Sequence, residues 1–120
     1  MNFTRILCVD DNASFVALLK IGLESHGFEV VTAEHGFDAL KRFKKHAGEL
    51  EAIVTDYEMP EMNGLELVRS LRKQEFKGRI VVMSGNLKPS DVEAFSAQGV
   101  SSFVHKPFKI DRLVSLLLDD

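Results

Sequence analysis

The chain has a single cysteine, Cys8. An intrachain disulfide is therefore impossible, and a metal site built on cysteines has too few ligands. Within the apolar run Ile6-Leu7-Cys8-Val9 that thiol reads as a small buried hydrophobe rather than a redox sensor. No apolar stretch approaches the ~18 residues of a membrane span, and the N-terminus carries no signal-peptide apolar region. A cytoplasmic location without a membrane partner is the expectation. Positive charge is not in excess either: 15 Lys and Arg face 18 Asp and Glu, for a net charge of −3. Direct nucleic-acid binding lacks its electrostatic footprint. The short basic pieces Lys41-Arg42 and Lys44-Lys45 fall within one helical pattern and read as a solvated helix face. Linkers, repeats and low-complexity tracts are absent.

What is present fits one domain over residues 1–120, long enough to bury most of its apolar surface without staples. The last helix is expected to run to Asp119-Asp120, leaving no room for a second domain. Apolar runs alternate with helix-period stretches from end to end, the pattern of a parallel α/β sheet. Strands are predicted near residues 5–10, 28–33, 50–55, 79–84 and 101–105. Helices are predicted near 13–26, 36–46, 64–74, 89–97 and 108–118. Phe15, Leu18, Leu19, Gly22 and Leu23 follow the spacing of one face of the first helix. Ile110, Leu113, Val114 and Leu117 do the same in the last. Gly27 and Gly99 follow the first and fourth helices as C′ glycines, and Pro89-Ser90-Asp91 opens the fourth. The architecture is (βα)5, one sheet between two helical layers.

The chemistry gathers at the carboxyl ends of the strands, where open parallel sheets bind ligands. Asp10-Asp11 closes the first strand run, Asp56 the third, Ser84 the fourth and Lys106 the fifth. Three carboxylates, a hydroxyl and an ammonium suit an oxygen-binding cation together with a phosphoryl group. Mg²⁺ takes oxygen ligands, keeps several waters and is held by one or two carboxylates plus phosphate oxygens. Without a cation the carboxylates repel, and at least one pKa is expected to rise. An N-cap at Asp11 or Asn12 explains one acidic residue there, but not two in tandem facing a third. A Lys ammonium is a compact partner for phosphate. Alone, Ser84-Gly85 reads as a turn and Lys106 as a surface lysine; their joint placement opposite the acidic cluster favours the site.

Asp56-x-x-Met59-Pro60-x-Met62-Asn63-Gly64 resembles the phosphoacceptor loop of response-regulator receiver domains. Val9-Asp10-Asp11-Asn12, Met83-Ser84-Gly85 and Phe103-x-x-Lys106-Pro107-Phe108 match that family's other motifs in order and spacing, over essentially the whole chain. The resemblance implies a flavodoxin-like fold with strand order 2-1-3-4-5. It implies that Asp56 accepts a phosphoryl group from a histidine kinase or histidine phosphotransfer domain. Asp10, Asp11, Asp56 and the backbone carbonyl of Glu58 would hold Mg²⁺, with Mn²⁺ able to substitute, and Ser84 and Lys106 would contact the phosphoryl group. Lys106-Pro107 would be a cis peptide and Phe103 the switch aromatic. The fourth helix, fifth strand and fifth helix would form the face for a downstream protein or output domain.

Three positions depart from the family pattern. Ser84 stands where Thr is at least as common, Gly85 stands where Ala is usual, and Phe103 replaces the frequent Tyr, so core packing competes with a switch role there. In the family the side chain two beyond the acceptor borders the path of the hydrolytic water, together with the one two beyond Ser84. These are Glu58 and Asn86, and the Glu58 carboxylate is expected to reach for Lys106 or the metal. The receiver module would catalyse only its own phosphorylation and dephosphorylation. The rival reading is a small Mg²⁺-dependent phosphatase with an Asp nucleophile, similar to haloacid-dehalogenase-type hydrolases; those carry Asp-x-Asp and a cap domain, and this chain has adjacent Asp10-Asp11. A flavodoxin-type FMN binder would need a Ser/Thr-rich phosphate loop after the first strand.

Overall fold

Four runs rich in β-branched and aliphatic residues and the short Ser102-Phe103-Val104-His105 form five parallel strands, each followed by a helix. A computed structural model describes residues 4–118, so the expected end of the last helix at Asp119-Asp120 lies outside the described residues. In chain order the elements are β1 (Arg5–Val9), α1 (Ala13–Glu24), β2 (Glu29–Ala33), α2 (Gly36–Lys45), β3 (Ala52–Asp56), α3 (Gly64–Lys73), β4 (Arg79–Ser84), α4 (Pro89–Ser96), β5 (Ser102–His105) and α5 (Ile110–Leu118). The sheet order is β2-β1-β3-β4-β5, the flavodoxin-like order. No helix among the described residues is long and apolar enough to cross a membrane.

Successive strand side chains point to opposite faces, so each central strand feeds two cores. Leu7, Val9, Ile53 and Val82 pack with Leu67, Val68, Leu71 and Phe95 on one side. Ile6, Cys8, Val54, Val81 and Met83 pack with Val16, Leu19, Leu23 and Leu113 on the other. Leu18 departs from the sequence reading: it is 67% exposed, and Val16 takes its place on the buried face of α1. This helix is apolar nearly all round, so its periodicity does not fix the phase of its inner face.

Helix ends follow local chemistry. Asn12 caps α1 by accepting the N–H of Phe15 at 3.0 Å, which leaves Asp11 free of capping duty. At the far end Phe28 N–H donates to the Leu23 carbonyl and Gly27 N–H to Glu24, with Gly27 at φ +92°. Val100, Phe95, Gly99 and Ser96 repeat that pattern after α4, with Gly99 at φ +75°. These paired bonds are Schellman closures, which favour glycine because its φ is positive. α3 closes the same way through Glu75 at φ +67°, a turn that no glycine announces.

Candidate functional site

Backbone bonds at the carboxyl edge of the sheet set the site before any side chain is considered. Asp10 N–H donates to the Ala33 carbonyl at 3.2 Å, Tyr57 to Met83 at 2.9 Å and Lys106 to Ser84 at 2.9 Å. The chain is thereby held just past β1, β3 and β5, where Asp10, the end of Asp56 and Lys106 stand. The loop after Asp56 folds back on itself: Gly64 N–H donates to the Tyr57 carbonyl at 2.7 Å. A Cβ at Gly64 would lie 2.5 Å from the Asp56 carbonyl oxygen, so no side chain fits there. Asn63 and Glu66 then start α3 with reciprocal cap bonds of 2.9 and 3.1 Å.

Carboxylate oxygens of Asp10, Asp11 and Asp56 lie within 4.8 Å of one another. Asp10 and Asp56 are buried, and Asp11 is exposed at the rim. The Lys106 ammonium bridges the buried pair, 2.7 Å from Asp10 Oδ2 and 3.2 Å from Asp56 Oδ1. Asp10 Oδ1 accepts the Asn12 N–H at 2.9 Å. Burial, with the neighbouring charge of Asp10, pushes the Asp56 carboxyl up to about 6, although Lys106 opposes the rise. Burial alone would lower the Lys106 pKa, but its bond to Asp10 and the attraction of Asp56 outweigh this and leave it raised. Three convergent hard-oxygen donors with a carboxyl displaced upward are the signature of a site short of positive charge, and this donor set fits Mg²⁺.

Ser84 is buried at the end of β4, where its hydroxyl donates to Glu58 Oε1 at 3.1 Å and accepts the Asn86 N–H at 3.0 Å. The expected approach of Glu58 to Lys106 is therefore corrected. Lys106 is already held by two buried carboxylates, and Ser84 is the donor that the Glu58 side chain takes. The Lys106-Pro107 peptide is cis. Phe103 is half-buried on β5, its ring edge-on to Phe95 at 5.8 Å.

Two partnerships escaped sequence reasoning. Tyr57, next to the acidic strand end, donates its phenol to Asp91 Oδ1 at 2.8 Å and packs edge-on to Phe95 at 5.6 Å. Asp91 Oδ2 also accepts the Lys88 N–H at 2.9 Å, closing the start of α4. Phe15, counted as a core position of α1, lies with its ring 4.6 Å from the Lys106 ammonium. The available signal was modest: a lone tyrosine beside an acidic strand end, and an aromatic one helical turn after Asp10-Asp11.

Comparison with known proteins places these features in context. A family model described as response regulator receiver domain matches residues 6–118. The chemotaxis protein CheY of Bacillus subtilis is 34% identical over 94% of this chain and 93% of its own length. The transcriptional regulatory protein GlrR of Escherichia coli is 31% identical over 96% of this chain, which spans only 26% of that larger protein. Among solved structures, chemotaxis protein CheY4 of Vibrio cholerae matches with a TM-score of 0.90 at 29% identity, over 97% of both chains.

Proposed function

Because the chain belongs to the response regulator receiver domain family, we propose that Asp56 is its phosphoryl acceptor and that a histidine kinase or histidine phosphotransfer domain is the donor. The carrying observation is the Lys106 ammonium lodged between Asp10 and Asp56, beside three carboxylates whose oxygens lie within 4.8 Å. A carboxylate oxygen of Asp56 attacks the donor phosphorus. The new P–O bond forms as the P–N bond to the donor imidazole breaks, giving an acyl phosphate.

Asp10, Asp11, Asp56 and the Glu58 backbone carbonyl would hold Mg²⁺ or Mn²⁺, which supplies positive charge against the phosphoryl oxygens. This chain's own residues do the rest. Lys106 keeps the Asp56 carboxylate oriented and then pairs with a phosphoryl oxygen. Ser84 exchanges its bond to Glu58 for one to the phosphoryl group, which adds about −1.5 to −2 charge and three strong acceptors. That movement frees space toward Phe103. The face of α4, β5 and α5, meeting a downstream protein or output domain, is the two-state element. The module turns over no metabolite, and the receiver match over residues 6–118 does not favour a phosphatase.

With acetyl phosphate and Mg²⁺, intact mass is expected to show one phosphoryl adduct that EDTA prevents and that Asp56→Asn loses. Equal labelling of Asp56→Asn, with no substitute site on mapping, would reject the assignment. Amide chemical-shift changes on phosphorylation are expected to extend to α4 and β5 and to shrink there in Ser84→Ala; changes confined to the acidic pocket would reject the coupling.

A further inference from the structure

We propose that Phe15 is a positioning residue for Lys106, its ring face holding the ammonium against Asp10 and Asp56. An ammonium has three N–H donors. The Lys106 ammonium donates to Asp10 Oδ2 at 2.7 Å and is ion-paired with Asp56 Oδ1 at 3.2 Å. The ring of Phe15 covers another side, its centroid 4.6 Å from Nζ. A cation at that distance over a ring face is attracted by the ring quadrupole, and more strongly where water is excluded.

The ring is itself fixed from two directions. Its backbone N–H is the group that Asn12 caps, at 3.0 Å, so the loop presenting Asp10-Asp11 also presents Phe15. Phe108, two residues beyond Lys106, packs perpendicular to Phe15 with centroids 6.0 Å apart and planes at 87°. One aromatic pair thus joins the start of α1 to the segment bearing the lysine.

The consequence rests on the reading that Asp56 is the acceptor and that Lys106 pairs with the phosphoryl group. During that reaction both carboxylates around Lys106 change partners: Asp56 becomes an acyl phosphate, and Asp10 is asked to serve a cation. A four-carbon stem with two shifting partners would otherwise wander. The ring is the neighbour that neither event consumes, so it keeps the ammonium where the phosphoryl oxygens arrive.

Phe15→Leu keeps an apolar side chain and removes the quadrupole, whereas Phe15→Tyr keeps both ring and face. Protons above a ring face are shielded, so the Lys106 ε-methylene resonances are expected upfield in the wild type and Phe15→Tyr, and near ordinary values in Phe15→Leu. The second-order rate constant with acetyl phosphate is expected to fall about three- to tenfold in Phe15→Leu, at unchanged Mg²⁺ affinity, and to hold in Phe15→Tyr. Wild-type rates in Phe15→Leu, or equal losses in both variants, overturn the role of the ring. Lys106→Ala distinguishes the deeper failure: if it is phosphorylated as fast as the wild type, the reading of Lys106 falls as well. If it is slow while Phe15→Leu is normal, only the role of Phe15 falls.

Discussion

Asp56 is caught between burial and reactivity. Its carboxyl is pushed from 3.8 up to about 6, by burial first and by Asp10 second. Between those values the folded protein holds more protons than the unfolded chain, so stability falls as pH rises through them. Asp56→Asn removes that penalty but also gives up the attraction to Lys106. In EDTA it is expected to raise the unfolding free energy by about 1–2 kcal/mol near pH 7.5, with the gain fading toward pH 4. Urea denaturation across that range checks it; an Asn variant less stable at neutral pH would show that Lys106 already compensates the charge. Glu58 acts at the same scale. Its carboxylate occupies the Ser84 hydroxyl, a bond that would have to break for Ser84 to serve a phosphoryl group on Asp56. With Asp56 as the acceptor, its long side chain would also border the approach of a hydrolytic water. Glu58→Asn is expected to shorten the phospho-protein half-life several-fold while Asp56 remains the acceptor. An unchanged half-life together with unchanged Mg²⁺ affinity would reduce Glu58 to a backbone role.

Besides the packing of Phe95, a phenol ties α4 to the segment just past β3. Tyr57 donates to Asp91, and Asp91 in turn closes the Lys88 N–H at the start of α4. Tyr57→Phe keeps the ring contact with Phe95 and removes one hydrogen bond to a carboxylate at a half-buried place. A small loss of stability is expected, with faster amide exchange confined to the first turn of α4. Exchange that rises equally in every helix would mean a global effect instead. The elements themselves were legible because β1, β3 and β4 are uninterrupted apolar runs and each ends in a polar residue that burial alone does not explain. That contrast marks Asp10, Asp56 and Ser84, and Lys106 is marked by its place past the shorter run of β5. What stayed hidden are choices made between elements. Whether Glu58 takes Lys106 or Ser84 depends on how the ends of β4 and β5 stand around the loop after β3, and whether Tyr57 finds Asp91 depends on how α4 packs beside it; no local pattern encodes either. Leu18 was misplaced for a related reason: a helix apolar on most sides supports more than one inner face. Glu75 shows the limit from the other direction, since its left-handed turn is imposed by Phe76 reaching the Leu71 carbonyl rather than by its own preference.

The two cores flank one sheet that also carries the acidic edge, so they are expected to unfold as one cooperative unit, and Cys8 offers a way to test it. Its thiol is fully buried on β1, which pairs with β2 on one side and β3 on the other. Burial pushes that thiol up to about 12, against about 8.5 for an exposed cysteine. Native protein at pH 8 therefore has neither access nor thiolate for a maleimide or disulfide reagent, and labelling must pass through opening of the central strand. When reclosing is fast, the labelling rate follows the equilibrium population of the open form. A cation that binds the folded acidic edge and not the unfolded chain must lower that population by the factor 1 + [L]/Kd, about 100-fold at one hundred times Kd. Mg²⁺ is thus expected to slow the modification of Cys8 from the opposite end of β1's core, without contact with the thiol. Asp11→Asn, which alters an exposed carboxylate of the acidic edge and no packing, is expected to lose most of that protection at equal Mg²⁺ while labelling normally in EDTA. Raising the pH past about 8.5 favours the unfolded thiolate, so labelling is expected to accelerate beyond the reagent's own pH dependence. Rapid labelling indifferent to Mg²⁺ would show instead that β1 opens locally, and that the acidic edge and the core behind it are not energetically one structure.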